Sequence, residues 1–260
     1  MTGPRLARRK LSDQVVDRIK HWLMAENMQP GDRLPQEKEL MELLGVSRGT
    51  TREALKALEV QGIIRVSTGR SGGAVVAEVG YETAAGLLGN YFYFKKLQAA
   101  EIYQLRQLLE PEMAASAVGR LTDVDFGRLE QLIESCARVD DSPESRRKQR
   151  LEELEFHNVI ARRSPNPLYS FTCQFVNKML ADQVVFKRMY LKRQQKIDRE
   201  NYTAHIELLV AYRAHDRNRV RRAMTRHMRE CACHIVELEA IVEKRFFSDA
   251  PVPRLQDFHR

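Results

Sequence analysis

The sequence lacks any long hydrophobic run. Its longest nearly uncharged apolar stretch, Ala84–Phe94, is well short of the ~20 residues that a membrane-spanning helix needs. The basic N-terminal residues lead into an amphipathic segment and not into the apolar region and cleavage site of a secretion signal. We therefore expect neither a membrane-spanning segment nor a signal peptide.

Cysteine is scarce, with 4 residues scattered over the chain: Cys136, Cys173, Cys231 and Cys233. In a long chain without a secretion signal, this distribution gives little support to a disulfide framework. Reduced thiols in a cytoplasmic protein are expected. Cys231 and Cys233 are two apart in a helical stretch and point to different faces, which argues against a joint chelate.

No part of the chain concentrates charge of one sign. Lys+Arg number 43 and Asp+Glu 35, which gives a net charge of +8, and the positive excess is shared by both halves. Net charge weakly favours a polyanionic partner but cannot locate its site. At 260 residues the chain exceeds the ~100–200 of one domain, so two domains are expected.

The first part of the chain begins with two helical patterns. Apolar residues recur at helical spacing over Ser12–Met24, and Ser12 is the expected N-cap. A second helix is predicted over Gln36–Leu44, where Pro35 suits the helix start and Gly45 the helix end. A turn separates the two helices.

A third helix and a hairpin follow. Ser47 is a good N-cap for a helix over Arg48–Gln61, and the short break after the second helix makes the pair a helix-turn-helix. Two apolar runs, 63–66 and 74–77, flank a Gly-rich connection and predict a β-hairpin. Together these elements predict a winged helix over residues 1–78.

The start of the third helix has the chemistry of DNA recognition. Arg48 and Arg52 are four residues apart and share a helix face, with hydroxyl side chains between them. Arginine can contact guanine or phosphate, and recognition helices present their N-terminal residues to the major groove. A solvated helix start with ordinary surface arginines is the alternative interpretation.

Three segments carry a family resemblance: Gly31–Leu40, Leu44–Leu55 and Leu58–Ile64. They resemble the DNA-binding domain of the GntR family of bacterial transcription regulators. The resemblance implies operator contacts by six residues of the helix-turn-helix and two at the wing tip: Lys38, Ser47, Arg48, Gly49, Thr50, Arg52, Thr68 and Gly69. Lys38 and Gly49 stand where relatives often have arginine and a larger side chain.

The rest of the chain is predicted to be helical. A linker without clear periodicity is expected over 79–96, followed by six or seven helices over 97–247 and a mobile tail over 248–260. The predicted fold class is therefore mainly α: an N-terminal winged helix-turn-helix domain and a C-terminal all-α antiparallel bundle.

Spacing also indicates a metal site in the helical part. Glu153 and His157 are four apart on one helix face, and His205 and His227 lie in two other helical stretches. Such oxygen and nitrogen ligands suit Zn²⁺ or another divalent transition metal. Two alternatives stay open: isolated surface or core histidines, and a rival cluster of Cys231, His227 and His234.

Four segments are similar to the FCD effector domain of the FadR subgroup: Arg106–Glu110, Glu153–His157 with 164–168, His205–Leu209 with Asp216, and His227. The resemblance implies a metal held by Glu153, His157, His205 and His227, with glutamate in place of the usual aspartate. It also implies a small carboxylate effector that is contacted by Arg106. Pairing of Arg106 with Glu110 is the alternative role.

The predicted function is a ligand-responsive bacterial transcription regulator. It would act as a homodimer on double-stranded operator DNA, because helix-turn-helix proteins usually read two-fold symmetric sites. The alternative is a metal-dependent enzyme that uses the Glu/His₃ site. The winged helix, and the lack of an obvious nucleophile or general base near the metal, argue against an enzyme.

Overall fold

The structure is a computed structural model that describes residues 10–67, 72–95, 97–137, 142–186 and 195–246. The chain divides into two compact units, Met1–Tyr91 and Phe92–Arg260. The expected mobile tail, 248–260, lies outside the described residues. None of the described helices is long and apolar enough to cross a membrane.

The first unit is a winged helix-turn-helix. Its elements are α1 (Leu11–Ala25), α2 (Glu37–Leu44), α3 (Arg48–Val60), β1 (Ile64–Ser67), β2 (Gly73–Val76) and all but the last two residues of α4 (Tyr81–Tyr93). Apolar side chains of α1, α2, α3 and both strands form one core, in which Val15, Ile19 and Leu58 are fully buried. Burial of these apolar faces is what fixes α3 on the other helices.

The turn before α3 forms as its residue types predict. Gly45 ends α2 in the left-handed conformation, with φ of 65°, which glycine adopts without steric cost. Ser47 caps α3, because its hydroxyl accepts a hydrogen bond from the Thr50 N–H at 3.3 Å. The two helices are thereby held at a tight turn.

The expected cap of the first helix was wrong. Helix α1 begins at Leu11, and Lys10 is the residue before it. The Lys10 carbonyl already accepts the first helical hydrogen bonds, from the N–H groups of Asp13 and Gln14. Ser12 lies inside the first turn, and its side chain is buried on the core face of α1.

Strands β1 and β2 pair antiparallel and form the wing. Ile64 pairs with Val76 and Ser67 with Gly73, so the hairpin has the predicted position. The predicted wing-tip residues Thr68 and Gly69 lie outside the described residues.

The predicted linker contains a helix that the sequence analysis did not anticipate. Helix α4 spans most of 79–96 and includes Gly86 and Gly89. A glycine inside a helix costs roughly 1 kcal/mol relative to alanine, which does not end a segment otherwise rich in helix formers such as Ala84, Ala85 and Leu87. Weak periodicity therefore did not mean absence of structure here.

The described part of the second unit consists of six helices and contains no strand: α5 (Ala99–Ser116), α6 (Asp123–Ala137), α7 (Pro143–Ala161), α8 (Pro167–Phe186), α9 (Gln195–Arg213) and α10 (Arg217–Phe246). Helix α10 packs against α5 and α9, and α7 packs against α6 and α8. The helix ends fall at the breaks that the sequence predicted, near 121–122, 164–167 and 214–216.

Two contacts show how the bundle is held around its centre. The Tyr212 hydroxyl of α9 donates a hydrogen bond of 2.8 Å to the Ala114 carbonyl of α5, inside the core. Asp125 accepts from the Thr122 N–H at 2.7 Å and from Arg163 at 2.8 Å, which joins the start of α6 to the end of α7. These contacts tie α9 to α5 and the start of α6 to the end of α7.

Candidate functional site

The first unit presents two arginines at the start of α3. The side chains of Arg48 and Arg52 are 69% and 65% exposed, so both guanidinium groups are accessible to a partner. Arg48 Nε donates to Glu37 Oε1 at 2.6 Å, and Arg52 Nε donates to Glu37 Oε2 at 3.1 Å. One carboxylate at the start of α2 thus holds both arginines on one surface.

The contact of Glu37 with the two arginines was not predicted from the sequence. The hydrogen bond from Arg48, together with Arg52, lowers the pKa of the Glu37 carboxyl, although its limited burial opposes the shift. Three charged groups then leave this surface with a net positive charge. The signal in the sequence is an acidic residue at the first position of α2, which α2–α3 packing brings opposite Arg48.

The other predicted DNA contacts lie on the same part of the helix-turn-helix. Ser47 and Gly49 are exposed at the N-terminus of α3, and Thr50 is half-buried with its hydroxyl 3.0 Å from that of Ser47. A Cβ on Gly49 would meet only the Ser47 hydroxyl, at 3.9 Å. Lys38 is exposed on α2. The arrangement leaves the N-terminal face of α3 open to a nucleic acid.

Three histidines meet in the core of the second unit. His157 of α7, His205 of α9 and His227 of α10 are each at most 3% exposed. One ring nitrogen of each lies within 4.8 Å of the other two, and His157 Nε2 lies 3.3 Å from His227 Nε2. Three helices thus bring three imidazole donors to one point, a geometry that suits a single metal ion.

Burial of the histidine rings favours the uncharged imidazole, which is the form that binds a metal ion. Burial lowers the pKa of His205 and of His227 well below the ordinary value, and the neighbouring imidazoles add to the shift. Uncharged imidazole has a free lone pair, which a metal requires. His205 Nε2 is buried without a hydrogen-bond partner in the described part of the chain. The donor set therefore fits a divalent cation.

Glu153 lies near the histidines but is engaged elsewhere. Its Oε2 accepts from Arg150 Nη1 at 2.8 Å, and its Oε1 accepts from Gln149 Nε2 at 3.3 Å. Arg150 also pairs with Asp198 of α9. Glu153 lines the same cavity as the histidines, yet the structure does not place its carboxylate in the three-histidine group.

A second carboxylate is in contact with the histidines. Glu110 of α5 is 1% exposed, and its Oε2 lies 2.5 Å from His157 Nδ1. Its other oxygen accepts from Arg106 Nε at 2.5 Å. Burial raises the pKa of the Glu110 carboxyl, but Arg106 and His157 outweigh burial and bring the pKa to about 2. Glu110 is therefore ionised.

Arg106 pairs with Glu110, as the alternative interpretation of their spacing predicted. It is 2% exposed, pairs with Glu110 and places its guanidinium carbon 4.8 Å from the centre of the Tyr103 ring. Its Nη2 has no hydrogen-bond partner among the described residues. Arg106 also lines the cavity that the three histidines line, and this cavity has a volume of about 60 Å³.

The rival cysteine-containing cluster does not assemble. Cys231 Sγ lies 3.6 Å from His227 Nδ1, but His234 Nε2 pairs with Glu200 at 3.1 Å. Burial raises the pKa of the Cys231 thiol to about 12. Among the described residues, the group whose donor atoms lie close enough to share an ion consists of His157, His205 and His227. Cys233 is exposed on the other side of the helix, as its spacing predicted.

Two family descriptions match the chain. Residues 11–73 match the bacterial regulatory proteins of the gntR family, and residues 101–230, half of the chain, match the FCD domain. The HTH-type transcriptional repressor NanR of Edwardsiella tarda is 28% identical over 229 residues, which cover 86% of this chain and 84% of that protein. NanR of Escherichia coli K12 is 28% identical over 229 residues, 86% of this chain and 83% of its own.

One solved structure supports the fold. A Streptococcus agalactiae GntR protein is 24% identical and matches 86% of this chain and 100% of its own, with a TM-score of 0.57. A winged helix-turn-helix followed by a helical bundle defines a two-domain DNA-binding regulator. The chain belongs to the family defined by the FCD domain, which matches half of its length, and its residues 11–73 match the bacterial regulatory proteins of the gntR family. It is a transcription regulator and not an enzyme, so the metalloenzyme alternative is not favoured.

Proposed function

We propose that this protein is a cytoplasmic, metal-dependent and ligand-responsive regulator of the FadR subgroup. Its second unit binds one divalent ion, with Zn²⁺ as the expected metal, together with a small carboxylate effector. The observation that carries the proposal is the meeting of three buried imidazoles from three helices at one point. His205 Nε2 has no hydrogen-bond partner among the described residues, and burial of a polar atom in this state is costly unless a ligand satisfies it.

His157, His205 and His227 would hold the ion. Glu153 lines the same cavity and is the candidate for a fourth ligand, in competition with its pairing to Arg150. When bound, the metal supplies a positive centre that can accept a carboxylate oxygen. The residues of the chain supply the remaining recognition.

Arg106 is the candidate for that recognition. Its guanidinium lines the cavity and keeps one nitrogen, Nη2, without a partner among the described residues. A guanidinium can hold a carboxylate by charge-assisted hydrogen bonds. Pairing with Glu110 does not prevent this, because the pairing uses Nε. The two roles considered for Arg106 are therefore compatible.

The first unit would bind double-stranded operator DNA through the start of α3. Arg48 and Arg52 are the candidates for base contacts. The other candidates for operator contacts on the helix-turn-helix are Ser47, Gly49, Thr50 and Lys38. Thr68 and Gly69 are proposed to lie near the minor groove by resemblance alone. A homodimer would place two such helices on a two-fold symmetric site. The relatives named as repressors favour repression as the outcome of binding.

Regulation requires that the effector bind two arrangements of the protein with different affinities. The effector must bind the DNA-competent and DNA-incompetent arrangements with unequal affinity, because equal affinity would shift no equilibrium. The same free energy then couples effector binding to operator binding in both directions.

The metal part of the proposal can be tested by equilibrium dialysis against Zn²⁺ and by thermal melting. The parent protein should bind one ion per chain and melt at a higher temperature with Zn²⁺ than after chelation, since an ion that binds only the folded state stabilises it. His205→Ala should lose most of both effects. His21→Ala is the matched control, because His21 is exposed on α1, and it should behave as the parent. Equal zinc binding by His205→Ala and the parent would refute the proposed site.

A further inference from the structure

The buried carboxylate of Glu110 lies between two basic side chains, Arg106 and His157. Its two carboxylate oxygens contact different partners, Arg106 on its own helix and His157 on α7, each at 2.5 Å. All three side chains are at most 3% exposed, so the contacts are shielded from water. A buried carboxylate of this kind must be compensated by its partners, because a lone buried charge is very costly.

The contact determines which nitrogen of His157 is free. Glu110 Oε2 lies 2.5 Å from His157 Nδ1, and a carboxylate oxygen is a hydrogen-bond acceptor, so this contact favours a proton on Nδ1. The lone pair is then on Nε2. That atom lies 3.3 Å from His227 Nε2, on the side where the three histidines meet.

We infer that Glu110 is a positioning residue for the metal site: it fixes the orientation and tautomer of His157 so that Nε2 faces the ion, while Arg106 holds the other oxygen of Glu110. The inference rests on the proposed function, that the histidine cluster holds a metal. Metal-bound histidines commonly donate their second N–H to a carboxylate, and loss of such a partner weakens metal binding by about 10–100-fold.

The test compares the zinc affinity of Glu110→Gln with that of the parent, by competition with a chromophoric chelator on the full-length protein. The variant should bind Zn²⁺ about 10–100-fold more weakly while retaining a capacity of one ion per chain. Glu112→Gln is the matched control: it lies on the same helix, is half-exposed and pairs with Arg221. Its zinc affinity should equal that of the parent.

Glu110→Gln leaves Arg106 buried without a counter-charge, so a second variant is needed in case the first does not fold. Arg106→Gln/Glu110→Gln removes both charges of the pair and should show the same direction of loss. Folding of each variant is checked by circular dichroism in the presence of chelator.

A spectroscopic measurement on the parent addresses position directly. In zinc-loaded protein labelled with ¹⁵N-histidine, the resonances of His157 should show a proton on Nδ1 and the metal on Nε2. His157 coordinated through Nδ1 would overturn the inference even if zinc binds. A merely structural role for Glu110 would not determine this tautomer.

The outcomes separate the two claims. If the parent binds no zinc, the proposed function fails and the inference fails with it. If the parent binds zinc and the folded Glu110 variants bind it equally well, only the inference is overturned. Equal losses in Glu110→Gln and Glu112→Gln would also overturn it, because the effect would not be specific to the His157 contact.

Discussion

At the scale of single residues, the structure shows a carboxylate in contact with the basic residues of each site. The sequence had identified the basic residues of both sites, in the DNA-binding unit and in the histidine cluster. Glu37 joins Arg48 and Arg52, and Glu110 joins Arg106 and His157. The contacts of Glu37 with the arginines of α3, and of Glu110 with His157 of α7, join residues on different helices. The spacing of residues within a single helix cannot predict such contacts. The i,i+4 pairing of Arg106 with Glu110 was foreseeable because it is local.

The arginine pair gives a prediction for DNA binding. Arg52→Ala should weaken binding to a selected operator fragment by about 1–3 kcal/mol and relax sequence preference, if its guanidinium contacts a base. Fluorescence anisotropy over a series of salt concentrations would measure both, and the parent should show a steep loss of affinity with salt. Arg217→Ala, in the second unit, is the control and should leave operator affinity unchanged. Full operator affinity in a folded Arg52→Ala protein would contradict the assignment of α3.

Glu37 gives a second prediction at this scale. Glu37→Gln removes the negative charge between the two arginines, so non-specific affinity for DNA should rise. Sequence preference should fall, because the carboxylate no longer fixes both guanidinium groups. Anisotropy with the selected fragment and with an unrelated duplex would give the two affinities. An unchanged ratio between them would show that Glu37 does not position the arginines.

At the scale of elements, most helices were predictable, but some of their ends and the linker were not. The end of α2 at Gly45 and the cap of α3 at Ser47 follow from local chemistry and were correctly predicted. Ser12 was assigned as a cap on residue type alone, but it lies inside the first turn of α1 and its side chain is buried. Helix α4 was missed because its periodicity is weak, while propensity favoured a helix.

The two serines allow a direct comparison. Ser47→Ala should lower the free energy of unfolding of the first unit by about 0.5–2 kcal/mol, because the Thr50 N–H loses its acceptor. Ser12→Ala should cost less, because Ser12 lies within the helix, where alanine has the higher propensity. Urea unfolding followed by circular dichroism would measure both variants. A larger loss in Ser12→Ala would mean that Ser12 is the more important hydrogen-bonding residue.

At the scale of the whole molecule, the two-domain architecture and the gathering of three histidines could be predicted from the sequence, the second with the help of the FCD resemblance. The placement of individual side chains within the metal site could not be predicted from the sequence. Glu153 and His157 share a face, but Arg150 and Gln149 compete for the Glu153 carboxylate. Such competition depends on side chains brought together by packing, which spacing does not encode.

Effectors are expected to stabilise the second unit by binding to the metal and to Arg106. Small monocarboxylates should raise the melting temperature of zinc-loaded protein, because a metal and the Arg106 guanidinium can both hold a carboxylate. Neutral esters of the same acids should not. The increase should shrink in chelated protein and in Arg106→Gln. Equal stabilisation by esters, or by acids acting on metal-free protein, would place the effector site elsewhere.

The most direct test of the central claim is anomalous X-ray scattering at the zinc edge from crystals of the zinc-supplied protein. One strong peak per chain is expected, in contact with ring nitrogens of His157, His205 and His227. The absence of a peak at the three histidines, or a sole peak at a surface site, would contradict it.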